Sequence, residues 1–296
     1  MELRQLAHFA SVVEHGSLGQ AAKVLNISEP ALSKSLRRLE ESLGVPLLDR
    51  NSRGMTPTLF GRSFLPHALV ILGEVEVSQK VLEELQGVSR GTIRIGTRPT
   101  FGSTVLPEAI ARLQHRRPKV RVVIREGVTA NLIAEVLRGS LDFIVATKVE
   151  DIQPSLIQEL LTVNQVGIVV REGHPLASKK DLSPNDLADA RWVLPLRTDP
   201  ARRQLESILR RNGLASINVV AETNSVVFTT SYIRQTDAIG YFPRAILRHQ
   251  ATGGGLNVLE LPRLEWRQEV NIIRLRHASL APAAKMLIQE VRTVSA

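Results

Sequence analysis

The chain has 296 residues, of which 43% are hydrophobic and 23% are charged, and it contains no cysteine. This length allows two domains with sizeable apolar cores, and the lack of cysteine excludes disulfides, cysteine-ligated metals and sensing by thiol oxidation. The formal net charge is +9, but residues 1–60 carry only +1 and the excess lies in residues 92–296, so bulk charge does not identify a nucleic-acid-binding region.

The N-terminus gives no sign of export or of membrane insertion. Residues 1–16 have apolar side chains at helical spacing rather than the continuous apolar run of a signal peptide. No apolar stretch approaches the roughly 20 residues that a membrane-spanning helix needs. We therefore expect a cytoplasmic protein that has no membrane partner.

Three short helices are predicted at the N-terminus. The first carries apolar residues at helical spacing on one face, namely Leu3, Leu6, Ala10 and Val13. Gly16 ends this helix, and Ser17 can cap the next one. Ser28 can cap a third helix whose first turn contains Pro30, where the missing N–H costs little.

The third helix is predicted to bury one side and to expose polar and cationic groups on the other. Leu32, Leu36 and Leu39 fall within about one-sixth of the helix circumference. The opposite side carries Pro30, Ser33, Lys34, Arg37 and Arg38. Such a helix suits the major groove of DNA, where lysine and arginine can meet phosphates or guanine edges. An ordinary amphipathic surface helix has the same pattern, so this helix alone does not decide the function.

Residues 45–57 predict a two-stranded β-wing, because short apolar pieces are interrupted by Gly54 and followed by Pro57. Its tip would carry Arg50, Asn51 and Arg53 to the DNA backbone. Contacts of this kind position a protein without reading the base sequence.

A single long helix is predicted from residue 58 to residue 86. Its heptad seam consists of Leu65, Ala68, Leu72, Val75, Gln79 and Leu82. We expect this stripe to pair with a second subunit, since nothing in the small first domain could cover it; packing on the chain's own C-terminal domain is the alternative. Pro66 predicts a kink near the helix start, and residues 87–91 predict a hinge.

Strands and helices alternate beyond residue 91. The order strand, helix, strand, helix, strand over residues 92–146 predicts a parallel sheet with right-handed crossovers. Two lobes are favoured over one domain, because the first sheet lacks strands that only the end of the chain, with a predicted strand at 270–275, can supply.

The segment 17–61 closely resembles the N-terminal domain of LysR-type transcriptional regulators. The matching residues are Ala21-Ala22, Ser28, Pro30-Ala31-Leu32-Ser33, Arg38-Leu39-Glu40, Leu43-Gly44, Pro46-Leu47, Arg50, Thr56-Pro57 and Gly61. The resemblance extends along the chain through Ile95-Gly96, Leu106-Pro107, Glu126-Gly127, Leu141-Asp142, His174-Pro175-Leu176 and Pro243.

This resemblance implies an α/β protein with an α-rich N-terminal winged helix-turn-helix, a long linker helix and a two-lobed, periplasmic-binding-protein-like effector domain. The implied boundaries are 1–57 for the DNA-binding domain, 58–91 for the linker and 92–296 for the effector domain. The first lobe would comprise 92–162 and 267–296, the second 163–266, with crossover strands near residues 162 and 267 as the hinge.

The resemblance also implies partners. These are a double-stranded DNA operator, a small effector, and further copies of the chain, as dimers through the linker helix and as tetramers. The residues expected to contact DNA are Ser28, Glu29, Pro30, Ser33, Lys34, Arg37, Arg50 and Arg53. We expect no cofactor and no metal.

Two departures from the family pattern stand out. The family usually has a glutamine that contacts bases where Glu29 stands; a carboxylate would repel phosphates but could accept from a cytosine amino group. Residues 231–244 lack the glycine-rich stretch that the family usually has there and carry Arg234-Gln235-Thr236-Asp237 instead. In this respect the chain resembles the branch of the family that senses sugar-derived or aromatic acids.

Hydroxyl and amide side chains stand where the carboxyl ends of predicted strands meet helix starts. Such positions favour anions, because helix N-termini offer unpaired N–H groups, and ligands bind at such strand ends. We therefore predict a small organic anion as effector, bound by Thr100, Thr129, Thr147, Asn224 and Ser225. The alternative is that these residues only cap helices; we prefer that reading for Ser103 and Thr104. Arg98 and Lys148 could pair with a ligand carboxylate or be solvated.

Three other classes of protein remain to be weighed. The enzyme alternative lacks a nucleophile with a base, a phosphate-binding loop or a dinucleotide fingerprint. A solute-binding protein would share the C-terminal half, and an architectural DNA-binding protein would share the N-terminal half without binding a metabolite.

Overall fold

A computed structural model of the chain describes residues 1–51, 54–85, 91–214, 216–248 and 254–295. Its N-terminal part is three helices followed by a β-hairpin, as the sequence predicts. The elements are α1 Leu3–His15, α2 Leu18–Val24, α3 Glu29–Leu43, β1 Leu48–Asn51 and β2 Gly54–Pro57.

Local signals set the ends of these helices. Gly16 has the left-handed φ of 62° that ends α1. Ser17 caps α2 by accepting from the Gln20 N–H, and Ser28 caps α3 by accepting from the Ala31 N–H. All three caps agree with the sequence prediction.

The open end of the hairpin is fixed to the helices that precede and follow it. The Glu40 carboxylate accepts hydrogen bonds from the Leu47 and Leu48 N–H groups, at 2.7 and 3.1 Å. After β2, Gly61 lies against the Leu47 carbonyl, which is only 2.0 Å from where a Cβ on Gly61 would be. Only glycine permits this close approach, so the wing and the next helix meet in one geometry.

A single long helix, α4, runs over Leu59–Leu85 and continues through Pro66. The expectation that the first domain could not cover its apolar stripe is wrong for the N-terminal half of the helix. Ala68 is fully buried in the helix-turn-helix core, and Leu65 and Leu72 pack against that core. Towards the C-terminal end Leu82 is 59% exposed. The predicted hinge at 87–91 lies outside the described residues except for residue 91.

The rest of the chain alternates strands and helices. The strands are β3 Thr92–Thr97, β4 Arg121–Glu126, β5 Phe143–Thr147, β6 Leu156–Arg171, β7 Arg191–Leu194, β8 Asn218–Glu222, β9 Ala238–Pro243, β10 Leu256–Leu259 and β11 Trp266–Leu275. The helices are α5 Pro99–Gly102, α6 Val105–Arg116, α7 Thr129–Leu137, α8 Pro200–Arg211, α9 Val226–Gln235 and α10 Pro282–Ser295.

The described strands of this part follow the order β4-β3-β5-β11-β6-β9-β7-β8, with β10 paired to β6. β3 runs parallel to β4 and β5, which confirms the predicted parallel sheet. β11 adds antiparallel to β5, so the end of the chain does complete the first sheet.

Two long antiparallel strands join the two lobes. The whole of β11 pairs with residues 156–166 of β6, with a register shift between Val270 and Asn271 opposite Leu160–Thr162. One end of this pair belongs to a core around Ile95, Phe143 and Leu287, and the other end to a core around Trp192 and Leu205. The lobes therefore share a continuous two-strand connection, and we keep residues 162 and 267 as a proposed boundary.

Candidate functional site

The outward face of α3 is exposed and polar. Ser28, Glu29, Pro30, Ser33, Lys34 and Arg37 are all exposed, whereas Leu32, Leu36 and Leu39 are buried in the helix-turn-helix core. The predicted division of α3 into a leucine face and a polar face is confirmed. The six exposed residues thus share one surface that a DNA groove could reach.

The cations of this face differ in whether they pair with a neighbouring carboxylate. The Arg37 guanidinium is 3.0 Å from the Glu41 carboxylate on the next turn, although both side chains are largely exposed. Lys34 instead lines an open groove of about 620 Å³ together with Arg4 and Arg38. Arg4 lies at the start of α1, and our sequence reasoning missed it because the residues that form this groove come from separate helices.

Glu29 lies close to α2. A Cβ built on Gly19 would be 2.6 Å from the Glu29 Oε1 atom, so the carboxylate covers this glycine. Glu29 is exposed at the start of α3. A negative charge near a helix N-terminus is electrostatically favourable, which gives Glu29 a structural reason to be acidic besides any contact with a base.

The wing presents Arg50 on β1, opposite Met55 on β2. Arg50 is exposed, and the Asn51 amide donates to the Thr56 hydroxyl at 2.9 Å across the hairpin. The third predicted wing residue, Arg53, lies outside the described residues.

His8 connects α1 to α3. Its Nδ1 is 2.8 Å from the Ser35 hydroxyl, and the residue is only 8% exposed. Burial lowers the pKa of His8 below its ordinary value, and the nearby positive charge of Arg4 lowers it further. The folded helix-turn-helix therefore favours the neutral form of the His8 imidazole over the protonated form.

We expect this shift to make the N-terminal domain sensitive to acid. Because the unfolded chain binds the proton more readily, the stabilisation is fully present above the unfolded pKa of about 6.5 and falls as the pH drops below it. The unfolding temperature of the N-terminal domain, measured for the wild type and for His8→Gln at pH values above and below about 6.5, checks the prediction. The variant should lose part of the pH dependence; identical pH profiles would contradict it.

A cavity of about 190 Å³ lies between the two lobes. It is bounded by the end of β3 with α5, by the β4–α7 turn, by the end of β7, and by the start of α9. Most of its lining is apolar, including Phe101, Val128, Val166, Leu194 and Phe242. A concave, mostly apolar cavity with a few polar groups is the usual form of a small-molecule site.

Three of the five predicted effector residues line this cavity, namely Thr100, Asn224 and Ser225. Thr129 and Thr147 do not. Thr129 nevertheless follows Val128, which does line it, and within the described part of the chain the buried Thr129 hydroxyl has no hydrogen-bond partner. Thr147 ends β5 opposite Val270.

Two of the lining side chains also serve the local structure. The Ser225 hydroxyl caps α9 by accepting from the Phe228 N–H at 3.2 Å, and Asn224 accepts from the Leu196 N–H at 3.3 Å. The hydroxyls of Ser103 and Thr104 donate to carbonyls of α5. This agrees with a structural role for Ser103 and Thr104, although they bond to carbonyls rather than cap α6.

The charged groups at the cavity are one cation and two carboxylates among the described lining residues: Arg98, Glu126 and Asp199. Arg98, from the first lobe, donates to Asp199, from the second, at 2.5 Å. The other basic candidate, Lys148, is not at the cavity and lies 3.7 Å from Glu269. The +9 charge of the chain is thus not concentrated at this site.

Tyr241 closes one wall of the cavity. Its hydroxyl donates to the Leu264 carbonyl at 2.9 Å, and burial together with Glu265 raises its pKa well above the ordinary value. Tyr241 is therefore a neutral hydrogen-bond donor that is already engaged.

Other kinds of site find no support in the described part of the chain. Those residues contain no group of three or more His, Cys, Asp or Glu side chains that could hold a metal ion. They also include no helix with the length and hydropathy of a membrane span.

Two family descriptions match the chain. "Bacterial regulatory helix-turn-helix protein, lysR family" matches residues 3–62, and "LysR substrate binding domain" matches residues 86–296. The HTH-type transcriptional regulator GbpR of Azospirillum brasilense is 27% identical over 297 residues, which cover 100% of this chain and 87% of that protein. The HTH-type transcriptional regulator GalR of Pseudomonas putida is 29% identical over 294 residues, which cover 99% of this chain and 74% of that protein.

A solved structure of a LysR-type regulator has a similar fold. The full-length LysR-type regulator LysG of Corynebacterium glutamicum, with bound effector arginine, has a TM-score of 0.72 at 18% identity, covering 100% of this chain and 98% of LysG. The helix-turn-helix with its wing, the long α4 and the mixed α/β sheet are all part of this similarity. The chain belongs to the LysR family: it is a DNA-binding transcriptional regulator with an effector-binding domain, and not an enzyme.

Proposed function

We propose that this regulator responds to a small organic anion that binds in the cavity between its two lobes, and that it acts in the cytoplasm as a dimer or tetramer. The observation that carries the proposal is the convergence of Thr100, Asn224, Ser225 and the guanidinium of Arg98 on one mostly apolar cavity. The binding residues we propose remain Thr100, Thr129, Thr147, Asn224 and Ser225.

The chemistry of the cavity suits an anion with an apolar body. Arg98 offers a planar set of N–H donors that matches a carboxylate. The first turn of α9 adds N–H groups without intrahelical acceptors and the positive end of the helix dipole. Phe101 and Phe242 would cover the apolar part of such a ligand.

Binding at this place can reach the DNA-binding domain through the arrangement of the lobes. A ligand that contacts both lobes favours one angle between them, and it shifts the population only by its differential affinity for the two arrangements. In an oligomer, a new angle changes the spacing of the helix-turn-helix domains and hence the fit to paired half-sites.

A thermal-shift screen tests this proposal. Organic acids and sugar acids are compared with their neutral counterparts, the corresponding alcohols, amides and sugars. Operators are obtained by selection from random duplexes, and footprinting is repeated with each stabilising compound. An anion should raise the melting temperature and alter the footprint; stabilisation by neutral or cationic compounds alone would refute an anionic effector.

Replacing Thr100 or Thr129 by valine is expected to weaken binding of the anion found in this screen. Valine keeps the shape and deletes a donor, so each change should cost roughly 0.5–1.5 kcal/mol, and more if the partner atom is charged. Isothermal titration calorimetry measures the effect. Ser103→Ala is the matched control, because the Ser103 hydroxyl already donates to carbonyls of α5. Wild-type affinity in both valine variants would show that the ligand lies elsewhere.

A further inference from the structure

We propose that Arg98 receives the anionic group of the effector and that Asp199 is its internal competitor, so that effector binding has to break an ion pair that joins the two lobes. The inference rests on the proposed function, since it names the residue that recognises the anion and the contact that the anion replaces.

The ion pair spans the cavity. Arg98 follows β3 in the first lobe, Asp199 precedes α8 in the second, and Nη2 of Arg98 is 2.5 Å from Oδ2 of Asp199. The Asp199 side chain is 2% exposed and that of Arg98 is 15% exposed. Because both groups are shielded from water, salt screens their attraction much less than that of a surface pair.

The carboxylate of Asp199 has a second role. Its Oδ1 accepts from the Ala201 N–H at 2.9 Å, which caps α8. The α8 cap holds the carboxylate in place, so Asp199 is a preorganised partner for the Arg98 guanidinium. Asparagine caps helices as well as aspartate does, so Asp199→Asn removes the charge and keeps the cap.

The charge balance of the cavity makes competition unavoidable for an anion. Glu126 and Asp199 already set two carboxylates against one guanidinium among the described lining residues. Arg98 is the one cation among the described lining residues with which a third negative group can pair, and its Nη2 atom already pairs with Asp199. Leaving a buried carboxylate without its cation is strongly disfavoured. An anion that takes Arg98 therefore forces Asp199, and the second lobe with it, to move.

Lobe separation can be measured directly, because the chain has no cysteine to remove before labelling. Spin labels on cysteines at the exposed positions Lys119 and Lys180 report the distance between lobes by pulsed electron paramagnetic resonance. Labelled chain is diluted with a large excess of unlabelled chain, so that distances between subunits do not contribute. The variants are Asp199→Asn and Arg98→Gln, with Glu135→Gln as the control, because Glu135 pairs with Arg125 within the first lobe.

Without added anion, both Asp199→Asn and Arg98→Gln should broaden the distance distribution and move it to longer values, while Glu135→Gln matches the wild type. Acetate is the probe for anion binding at Arg98, with potassium chloride at equal ionic strength and acetamide as controls. Acetate should shift the wild-type distribution, should do so at a concentration at least about tenfold lower in Asp199→Asn, and should have no effect on Arg98→Gln.

Wild-type distances in both Asp199→Asn and Arg98→Gln would overturn the ion pair as an inter-lobe contact. If acetate does not shift the distances in Asp199→Asn, or shifts them in Arg98→Gln as it does in the wild type, Arg98 is not the residue that binds the anionic group. These results are independent of the thermal-shift screen: if the screen finds no organic anion but the distances change as expected, the proposed effector is wrong while the ion pair stands.

Discussion

Replacing Ser33 and Lys34 together by alanine is expected to abolish sequence-specific operator binding while the protein stays folded. Both side chains are exposed on the outward face of α3, so their loss leaves the leucine core untouched. A hydroxyl hydrogen bond contributes roughly 0.5–1.5 kcal/mol and a hydrogen bond that involves a charged group roughly 1.5–3 kcal/mol, so the loss of both contacts should weaken specific binding by more than tenfold. The loss of one phosphate contact should also lower the salt-dependence slope by about one unit.

Anisotropy titration with the selected operator and with a scrambled duplex measures this effect. Lys119→Ala is the matched control, because it removes one exposed lysine from the effector domain and leaves α3 intact. Unchanged circular dichroism and unfolding temperature establish that the variant folds. Wild-type affinity and salt slope in the double variant would show that α3 does not enter the groove through this face.

The N-terminal domain was predictable because its signals are local. Gly16, Ser17 and Ser28 each act within four residues of their own position, through a left-handed turn or a cap. The leucine spacing of α3 likewise depends only on helical periodicity. What local reasoning could not supply is the groove formed with Arg4, because its walls are brought together by the packing of α1 on α3.

The long crossover strands were harder to predict for a physical reason. β6 is buried on both faces only near its end, from Val166 to Val170. Residues 157–165 alternate irregularly between partly buried and exposed, because they form the connection between the lobes. Sequence periodicity detects a strand that has one buried and one exposed face, and this segment has no continuous buried face.

The cavity shows the same limit. Thr100, Asn224 and Ser225 were expected because each stands at a strand end or helix start, which sequence order reveals. The Arg98–Asp199 pair joins residues 101 positions apart, and the only local signal at Asp199 is the following Pro200, which marks a helix start. A contact between lobes depends on how they close, so it could not be predicted from either segment.

Leu82→Asp is expected to convert the oligomer to smaller species. Leu82 stands at the end of the predicted heptad seam and is 59% exposed in the single chain, so its partner has to come from another subunit if the seam pairs. An unpaired carboxylate in an apolar seam costs several kcal/mol, and twofold symmetry places two such charges in one interface. We expect the dimer dissociation constant to rise by at least about a hundredfold.

Leu82 is a sharper probe than Leu72, because Leu72 also packs against the helix-turn-helix core and its replacement would disturb that domain. Ser63→Asp is the control, since it adds the same charge to an exposed position of α4 away from the seam. Sedimentation velocity over a range of micromolar concentrations, with unfolding temperatures for each variant, decides the matter. A monomeric wild type would refute the seam outright. If instead the wild type associates and Leu82→Asp associates equally well, the apolar stripe of α4 does not hold the subunits together and another surface must.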